Sequence, residues 1–308
     1  AAPLRHELFD WSIPIDGSDS TLIWNEKVPL KELPLIINPD SGWLVSVNQD
    51  PFRVTSANSN LNRGDYSKTL GLQTRMTNRA YRALELLESD QVISSEELLK
   101  IKFDNKYSKQ SRAFKYIEPL LDYAFDDDKL IQAQTVLREW DLTTDMDSRG
   151  APLGVCSLSP EWLAEQENRM PPEVLSVFKQ CVKEITSKYK RIDPLWSEVN
   201  YLIRGNKKLP IQGGPDTLRA IYGETQKNAS LKAVAGDGLV VFVEWDKDGA
   251  LTTRSIHQYG SATQDTLSPH YDDQVEMFAD EMLKDTYFEI EALEAHKESR
   301  ITVPFNHD

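Results

Sequence analysis

The feature that most constrains the fold of this chain is the order in which its hydrophobic patterns change. Short apolar runs rich in β-branched residues predict a β-rich region over residues 1–75. Apolar residues at helical spacing predict a mostly helical region over 76–200, and strand patterns return over 201–308, before a C-terminal helix. Blocks of strands and helices without regular alternation predict an α+β fold. We expect the strands of both ends to meet in one sheet.

The clearest helix is predicted after Pro171-Pro172, with Pro172 near its first turn. Apolar residues recur there at i, i+3, i+4, i+7, i+8 and i+11: Val174, Val177, Phe178, Cys181, Val182 and Ile185. This stripe places Cys181 on the core-facing side. A second helix is predicted to begin at Ser94 or Ser95, where a capping hydroxyl precedes two glutamates.

Two hairpins are predicted, one near each end of the chain. The turn-forming cluster 38–42 separates the apolar run 33–37 from the run 43–48, which places Asn48 near the end of the second arm. Near the other end, the run 239–245 is followed by a turn over 246–249 and a partner strand from 252 to 259.

The charge of the chain excludes some classes of partner. With 35 Lys+Arg against 49 Asp+Glu, the net charge is −14, which disfavours nucleic acid and anionic membrane surfaces as partners. No apolar stretch is long enough to predict a membrane-spanning helix.

The cysteines and acidic clusters leave alternatives open. The two cysteines, Cys156 and Cys181, are either free, partly buried thiols or one disulfide formed in an oxidising compartment. The five histidines show no zinc-hydrolase spacing. The acidic run 126–128 lacks the pattern of a calcium loop and is interpreted as a helix N-terminus. Asp216, after Gly213-Gly214-Pro215, is a candidate helix N-cap.

Two sets of polar residues are candidates for catalytic chemistry. Asn48 is either an amide donor that stabilises an oxyanion or an asparagine of a turn. Arg75, Arg79 and Arg82 have the spacing of one helix face, where they either orient a carbonyl or carboxylate or pair with nearby acids in solvent.

Several ordered motifs resemble the penicillin acylase family. The segment 38–51 (NPDSGWLVSVNQDP) is similar to the family's NPxSG(Y/W) and N(N/D)xP elements, and residues 9–11 and 33–34 resemble the branch with acyl-homoserine-lactone and aculeacin-type acylases. Three further segments also resemble family motifs: 74–82 (TRMTNRAYR), 213–217 (GGPDT) and 268–274 (SPHYDDQ).

The resemblance implies part of the αββα sandwich of N-terminal-nucleophile hydrolases, with a large helical insertion. In this family an N-terminal serine attacks an amide carbonyl and its own α-amino group accepts the proton. The motifs place Asn48 on the oxyanion-hole asparagine and the active-site arginine on Arg75, with Arg79 a close second. Trp43 and Phe52 flank Asn48 and are candidates for an apolar acyl-binding site, although core packing is the alternative for at least one of them.

This chain departs from the family in one respect: it begins with Ala1, which carries no nucleophilic atom. We therefore interpret residues 1–308 as the C-terminal portion of an acylase β chain that needs the N-terminal part of that chain and the α chain as partners. The expected reaction is cleavage of an N-acylated small molecule, such as an acyl-homoserine lactone or a β-lactam side chain, in the periplasm or outside the cell. No cofactor is expected, although calcium is possible in the complete protein. The alternatives are a non-catalytic module of the same fold, or an unrelated helical scaffold in which Asn48 and the arginine helix lie far apart.

Overall fold

The computed structural model describes residues 2–5, 9–11, 13–89, 92–226 and 230–302. Ala1, where the sequence lacks a nucleophile, and the C-terminal Asp308 lie outside these residues. Within them, no helix is both long and apolar enough to cross a lipid bilayer.

Among the described residues of the first two thirds of the chain, six α-helices follow one another: α1 (Asn78–Glu88), α2 (Ser95–Lys102), α3 (Arg112–Ile117), α4 (Asp128–Glu139), α5 (Ala151–Gln166) and α6 (Val174–Tyr189). Five of them begin at a capping side chain, whereas α5 begins after Gly150 without one and has a proline in its first turn. Ser94 and Glu97 form a capping box at α2, and the Asp127 carboxylate accepts the first N–H groups of α4. The helix-start interpretation of residues 126–128 is therefore confirmed. Helix α6 begins slightly later than predicted, because Glu173 caps it and both prolines precede it.

The strands form two sheets. The first sheet has the order β2-β1-β4-β3, in which β1 and β4 are parallel and the other pairs antiparallel; the second is antiparallel, in the order β5-β6-β7. The strands are β1 (Asn200–Arg204), β2 (Lys207–Pro210), β3 (Ile221–Thr225), β4 (Leu231–Gly236), β5 (Leu239–Trp245), β6 (Leu251–His257) and β7 (Lys284–Asp285). Two further short α-helices lie in the described C-terminal part, α7 (Val275–Ala279) and α8 (Ile290–Ala295).

The predicted β5–β6 hairpin is confirmed. Its turn is closed by the Asp246 side chain, which accepts the N–H groups of Asp248 and Ala250, while Gly249 adopts a positive φ of 84°.

The prediction of β-strands in residues 1–75 is wrong for the described part of that region. It contains short 3-10 turns and extended segments, and neither sheet draws a strand from it. Residues 43–47 are extended and alternate between half-buried and exposed, as a strand would. A strand also needs a hydrogen-bonded neighbour along its length, and Val45 makes the only backbone bond of this segment to another described segment, to Val54.

The interior has a helical part and a sheet part. Helices α3 to α6 enclose the larger cluster, in which Trp196, Phe178 and Leu153 are among the buried side chains. A disulfide between Cys156 and Cys181 joins α5 to α6, with a Cα–Cα distance of 5.9 Å. Of the two alternatives for these cysteines, the structure therefore has the disulfide, and the predicted burial of Cys181 is confirmed. A second cluster packs both sheets against α7.

Candidate functional site

Asn48 ends the extended segment 43–47 in a left-handed turn, with φ at 64°. Asparagine tolerates this conformation better than most residues. The neighbouring Gln49 amide fixes the turn, because its oxygen accepts the Val47 N–H at 2.6 Å and its nitrogen donates to the Val45 carbonyl at 2.9 Å. The Asn48 side chain consequently stands exposed at the end of a restrained segment.

Helix α1 is attached to this segment by its N-cap residue. The Thr77 hydroxyl accepts the Ala80 N–H and donates to the Val47 carbonyl at 3.1 Å. This attachment brings the first turn of α1 beside Asn48, and Arg79 donates from Nη2 to the Asn48 Oδ1 at 3.0 Å. The alternative of an unrelated scaffold, which required these two elements to lie far apart, is therefore wrong.

The arginine also determines which way the Asn48 amide points. A guanidinium can only donate hydrogen bonds, so the atom of Asn48 that faces Arg79 must be the oxygen. The Nδ2 group is then directed away from Arg79, and it has no hydrogen-bond partner among the described residues. An oriented N–H donor in an exposed position is what an oxyanion site requires.

The Asp216 carboxylate binds the Arg79 guanidinium and fixes its position. Its Oδ1 accepts the Arg79 Nε at 3.0 Å and its Oδ2 accepts the Asn78 N–H at 2.7 Å. Asp216 is 5% exposed, and this burial raises the pKa of its carboxyl group, against the opposite effects of the Asn78 N–H and the Arg79 charge.

The prediction that Asp216 caps a helix that follows it is wrong. Residues 213–217 lead into β3, and the Asp216 carboxylate instead binds the N-terminus of α1, a helix more than a hundred residues earlier in the chain. The loop is held in place by the buried Asn78, whose Nδ2 donates to the Asp216 carbonyl, and by the Tyr107 hydroxyl, which donates to the Pro215 carbonyl. Asp216 is the site residue that sequence analysis missed, and the GGPDT motif was the signal that could have indicated it.

The three arginines do not share one helix face. Arg75 precedes α1; its carbonyl accepts the Asp50 N–H at 2.8 Å, and the Nε of its half-buried side chain has no hydrogen-bond partner among the described residues. Arg82 binds both carboxylate oxygens of Asp104, at 3.1 and 2.7 Å. Of the three, Arg79 is the one that contacts Asn48.

Trp43 and Phe52 have different surroundings. Phe52 is only 6% exposed and packs between the Tyr66 ring and the Arg63 guanidinium, which is the core-packing role left open for one of the two. Trp43 is half-buried beside Leu87 and lines a groove of about 820 Å³. We call this cavity the strand groove; it lies between residues 41–45 and 241–245.

The described residues contain no cluster of three or more His, Cys, Asp or Glu side chains that could hold a metal ion. His270, in the SPHYDDQ segment, is exposed and pairs with Asp273 at 2.9 Å. The possibility of calcium in the complete protein stays a prediction.

Comparison with known proteins identifies first the fold and then the family. The structure is similar to a thermostable penicillin G acylase from Alcaligenes faecalis, with a TM-score of 0.54 and 12% sequence identity over 99% of this chain and 64% of that chain. The fold is therefore the α+β fold of the N-terminal-nucleophile hydrolases, as predicted. The chain spans less than two thirds of the length of the acylase chain it matches.

The family model for penicillin amidase matches residues 1–295, and the chain belongs to the penicillin amidase family. This confirms the family predicted from the motifs. The acyl-homoserine-lactone branch, and the assignment of residues 1–308 to the C-terminal portion of a β chain, stay predictions.

Proposed function

We propose that this chain supplies the oxyanion-stabilising part of an amide hydrolase that cleaves N-acylated small molecules. The observation that carries the proposal is the contact between Arg79 and the Asn48 Oδ1, which leaves the Asn48 Nδ2 group free and oriented in an exposed position. Membership of the penicillin amidase family supports the reaction class.

In the proposed reaction, a nucleophile attacks the amide carbonyl and negative charge develops on its oxygen. The Asn48 Nδ2–H donates to that oxygen, a contact worth about 2.7–4 kcal/mol when the donor is preorganised. The nucleophile is an N-terminal Ser, Thr or Cys supplied by polypeptide outside this chain, and its α-amino group accepts the proton. An acyl-enzyme forms, the amine leaves, and water releases the acid.

Arg79 and Asp216 act as positioning residues in this proposal. Arg79 holds the Asn48 amide in one orientation, and Asp216 fixes the guanidinium that does so. Because Asp216 is buried and also binds α1, it restricts the movement of Arg79 more than a solvent-exposed acid would. Arg75 remains the second candidate for the active-site arginine, since its Asp50 contact places its backbone in the same turn.

The substrate class is an N-acylated small molecule such as an acyl-homoserine lactone or a β-lactam with an amide side chain. The partners are the nucleophile-bearing part of the β chain and the α chain. Export to the periplasm or the cell exterior agrees with the Cys156–Cys181 disulfide, because such bonds persist in oxidising compartments.

The test is an assay of the complete enzyme, expressed with its upstream coding sequence. We expect it to hydrolyse a phenylacetylated amide or an N-acyl-homoserine lactone, and mass spectrometry to find a chain that begins with Ser, Thr or Cys. A complete enzyme that begins with no such residue and hydrolyses neither substrate would instead support the non-catalytic module.

A further inference from the structure

A second cavity lies between helices α5 and α6 on one side and the first sheet on the other. The residues of α5 that line it recur at i, i+3, i+4, i+7, i+8 and i+11 from Pro152 to Leu163, which is one face of a helix. Ile221, Gly223 and Thr225 line the opposite wall and alternate along one face of β3. We call this cavity the helix–sheet pocket.

The walls of the helix–sheet pocket are fixed by a covalent bond and by core residues. Cys156 is part of the lining, and its disulfide with Cys181 joins α5 to α6 beside the pocket. Trp196, which belongs to the larger core cluster, and Leu231 of β4 also line it. The volume of about 300 Å³ is at the lower end of the range of small-molecule sites, which are mostly apolar and largely preformed. The pocket therefore suits a small molecule better than a polypeptide.

Lys188 is the basic side chain of this lining, and no acid of the described chain forms a salt bridge with it. Its ammonium group donates to the Tyr189 hydroxyl and lies 4.1 Å from the centre of that ring. Glu184 lies one turn earlier in α6 and also lines the pocket, but it is exposed and accepts a hydrogen bond from the Gln180 amide. The ammonium group of Lys188 therefore faces a largely apolar cavity without a neutralising charge.

Lys208 adds a second positive charge near this end of the pocket. Its ammonium group lies 4.0 Å from the centre of the Tyr201 ring and forms no salt bridge within the described ranges. Burial, together with a smaller effect of the Lys208 charge, lowers the pKa of Lys188 to about 8. Lys188 is still protonated at neutral pH, and a bound anion would oppose both effects. This local positive charge contrasts with the net charge of −14 of the chain.

We propose that the helix–sheet pocket binds a small amphipathic carboxylate, with its apolar part between α5 and β3 and its carboxylate on Lys188. A carboxylate neutralises the ammonium group and accepts a charge-assisted hydrogen bond, which a neutral apolar molecule cannot do. Two further polar side chains of the lining are already bonded within the protein. The Ser159 hydroxyl donates to the Val155 carbonyl at 2.6 Å, and the Asn200 Nδ2 donates to the Ile211 carbonyl at 3.0 Å. Lys188 is therefore the polar anchor that the pocket offers to a ligand.

The test is isothermal titration calorimetry of octanoate with the complete enzyme at neutral pH. We expect Lys188→Met to weaken octanoate binding at least about tenfold and to leave binding of uncharged octanol unchanged, since only the carboxylate needs the ammonium group. The matched control is Lys183→Met, at an exposed lysine of the same helix that does not line the pocket. Equal octanoate binding by the two variants would overturn the proposal, as would an equal loss of octanoate and octanol binding in Lys188→Met.

Chain length and a variant of the candidate site determine where the ligand lies. Each buried methylene should strengthen binding about fourfold, so acetate should bind at least about 100-fold more weakly than octanoate; equal affinities would contradict an apolar pocket. Asn48→Asp should leave octanoate affinity unchanged, because Asn48 does not line the pocket. Binding that is lost in Asn48→Asp and kept in Lys188→Met would overturn the proposal. None of these measurements uses hydrolysis, so the outcome is independent of the proposed function.

Discussion

Replacement of Asn48 by aspartate separates a catalytic role of this residue from a structural one. The substitution keeps the size of the side chain and its tolerance of the left-handed conformation at φ 64°. It also keeps an oxygen for Arg79, at the position now 3.0 Å from Nη2. What changes is the outward group, which becomes a carboxylate oxygen in place of an N–H donor.

The two effects of Asn48→Asp differ in size and direction. Loss of one oxyanion donor lowers kcat about 10²–10³-fold, and the new negative charge near the developing oxyanion adds to the loss. Stability changes little, because the added ion pair with Arg79 lies in a solvent-exposed contact and contributes about 0.2–1 kcal/mol in favour of folding. We therefore expect an enzyme that folds at least as well as the parent and is nearly inactive.

The assay is kcat on a phenylacetylated amide with the complete enzyme, together with thermal unfolding of the same samples. Asn38→Asp is the matched control, because Asn38 is also exposed and left-handed, with φ at 49°, and should retain full activity. The reasoning is refuted if Asn48→Asp keeps more than about a third of the parental kcat, or if it unfolds at a markedly lower temperature.

Three further perturbations test the surroundings of the site. Asp216→Asn places a side-chain amide against two N–H donors and removes a charge-assisted hydrogen bond worth about 1.5–3 kcal/mol. At about 2 °C per kcal/mol, the Tm measured by circular dichroism should fall by about 3–6 °C. An unchanged Tm would contradict this expectation. Reduction of the Cys156–Cys181 disulfide, which spans 25 residues, should destabilise the chain by about 3 kcal/mol in urea unfolding, and equal midpoints with and without reductant would exclude it. Asp273 and, more weakly, Glu298 raise the pKa of His270 above 6.5, so its contribution to stability is complete below that pH and disappears as pH rises through the folded-state pKa. Nuclear magnetic resonance titration should place the His270 pKa above 6.5, and the Asp273→Asn variant should lower it.

Features that depend on local chemistry could be predicted from the sequence. The stripe of α6, the capping box at Ser94 and the turn after Asp246 each depend on residues only a few positions apart, and the structure has all three. Asn48 was predicted near the end of a hairpin arm; the structure has it at the end of an extended segment that belongs to no hairpin. The family motifs added what spacing alone could not, namely a reason to regard this asparagine as more than a residue of a turn.

Features that depend on distant partners could not be predicted in this way. Residues 43–47 have the composition and alternation of a strand, but strand formation needs a neighbour whose position no local pattern specifies. Asp216 was assigned to a following helix because N-cap preference is a local statistic. Its carboxylate instead binds the N–H of Asn78, the first residue of α1, and the Arg79 guanidinium, both of which lie far from it in the sequence.

The arrangement around Asn48 shows how the proposed oxyanion donor is held in place by contacts within this chain. A free N–H group costs about 1–3 kcal/mol when it is buried without a partner, but Asn48 is exposed, so its Nδ2 group is accessible to solvent and does not carry this cost. Its Oδ1 is meanwhile fixed through Arg79 to a carboxylate that is itself buried and bound to a helix N-terminus. The orientation of the Asn48 amide therefore rests on contacts among the described residues, and in the proposed reaction the bound substrate desolvates the Nδ2 group. Preorganisation of this kind lets the donor act on a developing oxyanion without a further rearrangement of the protein.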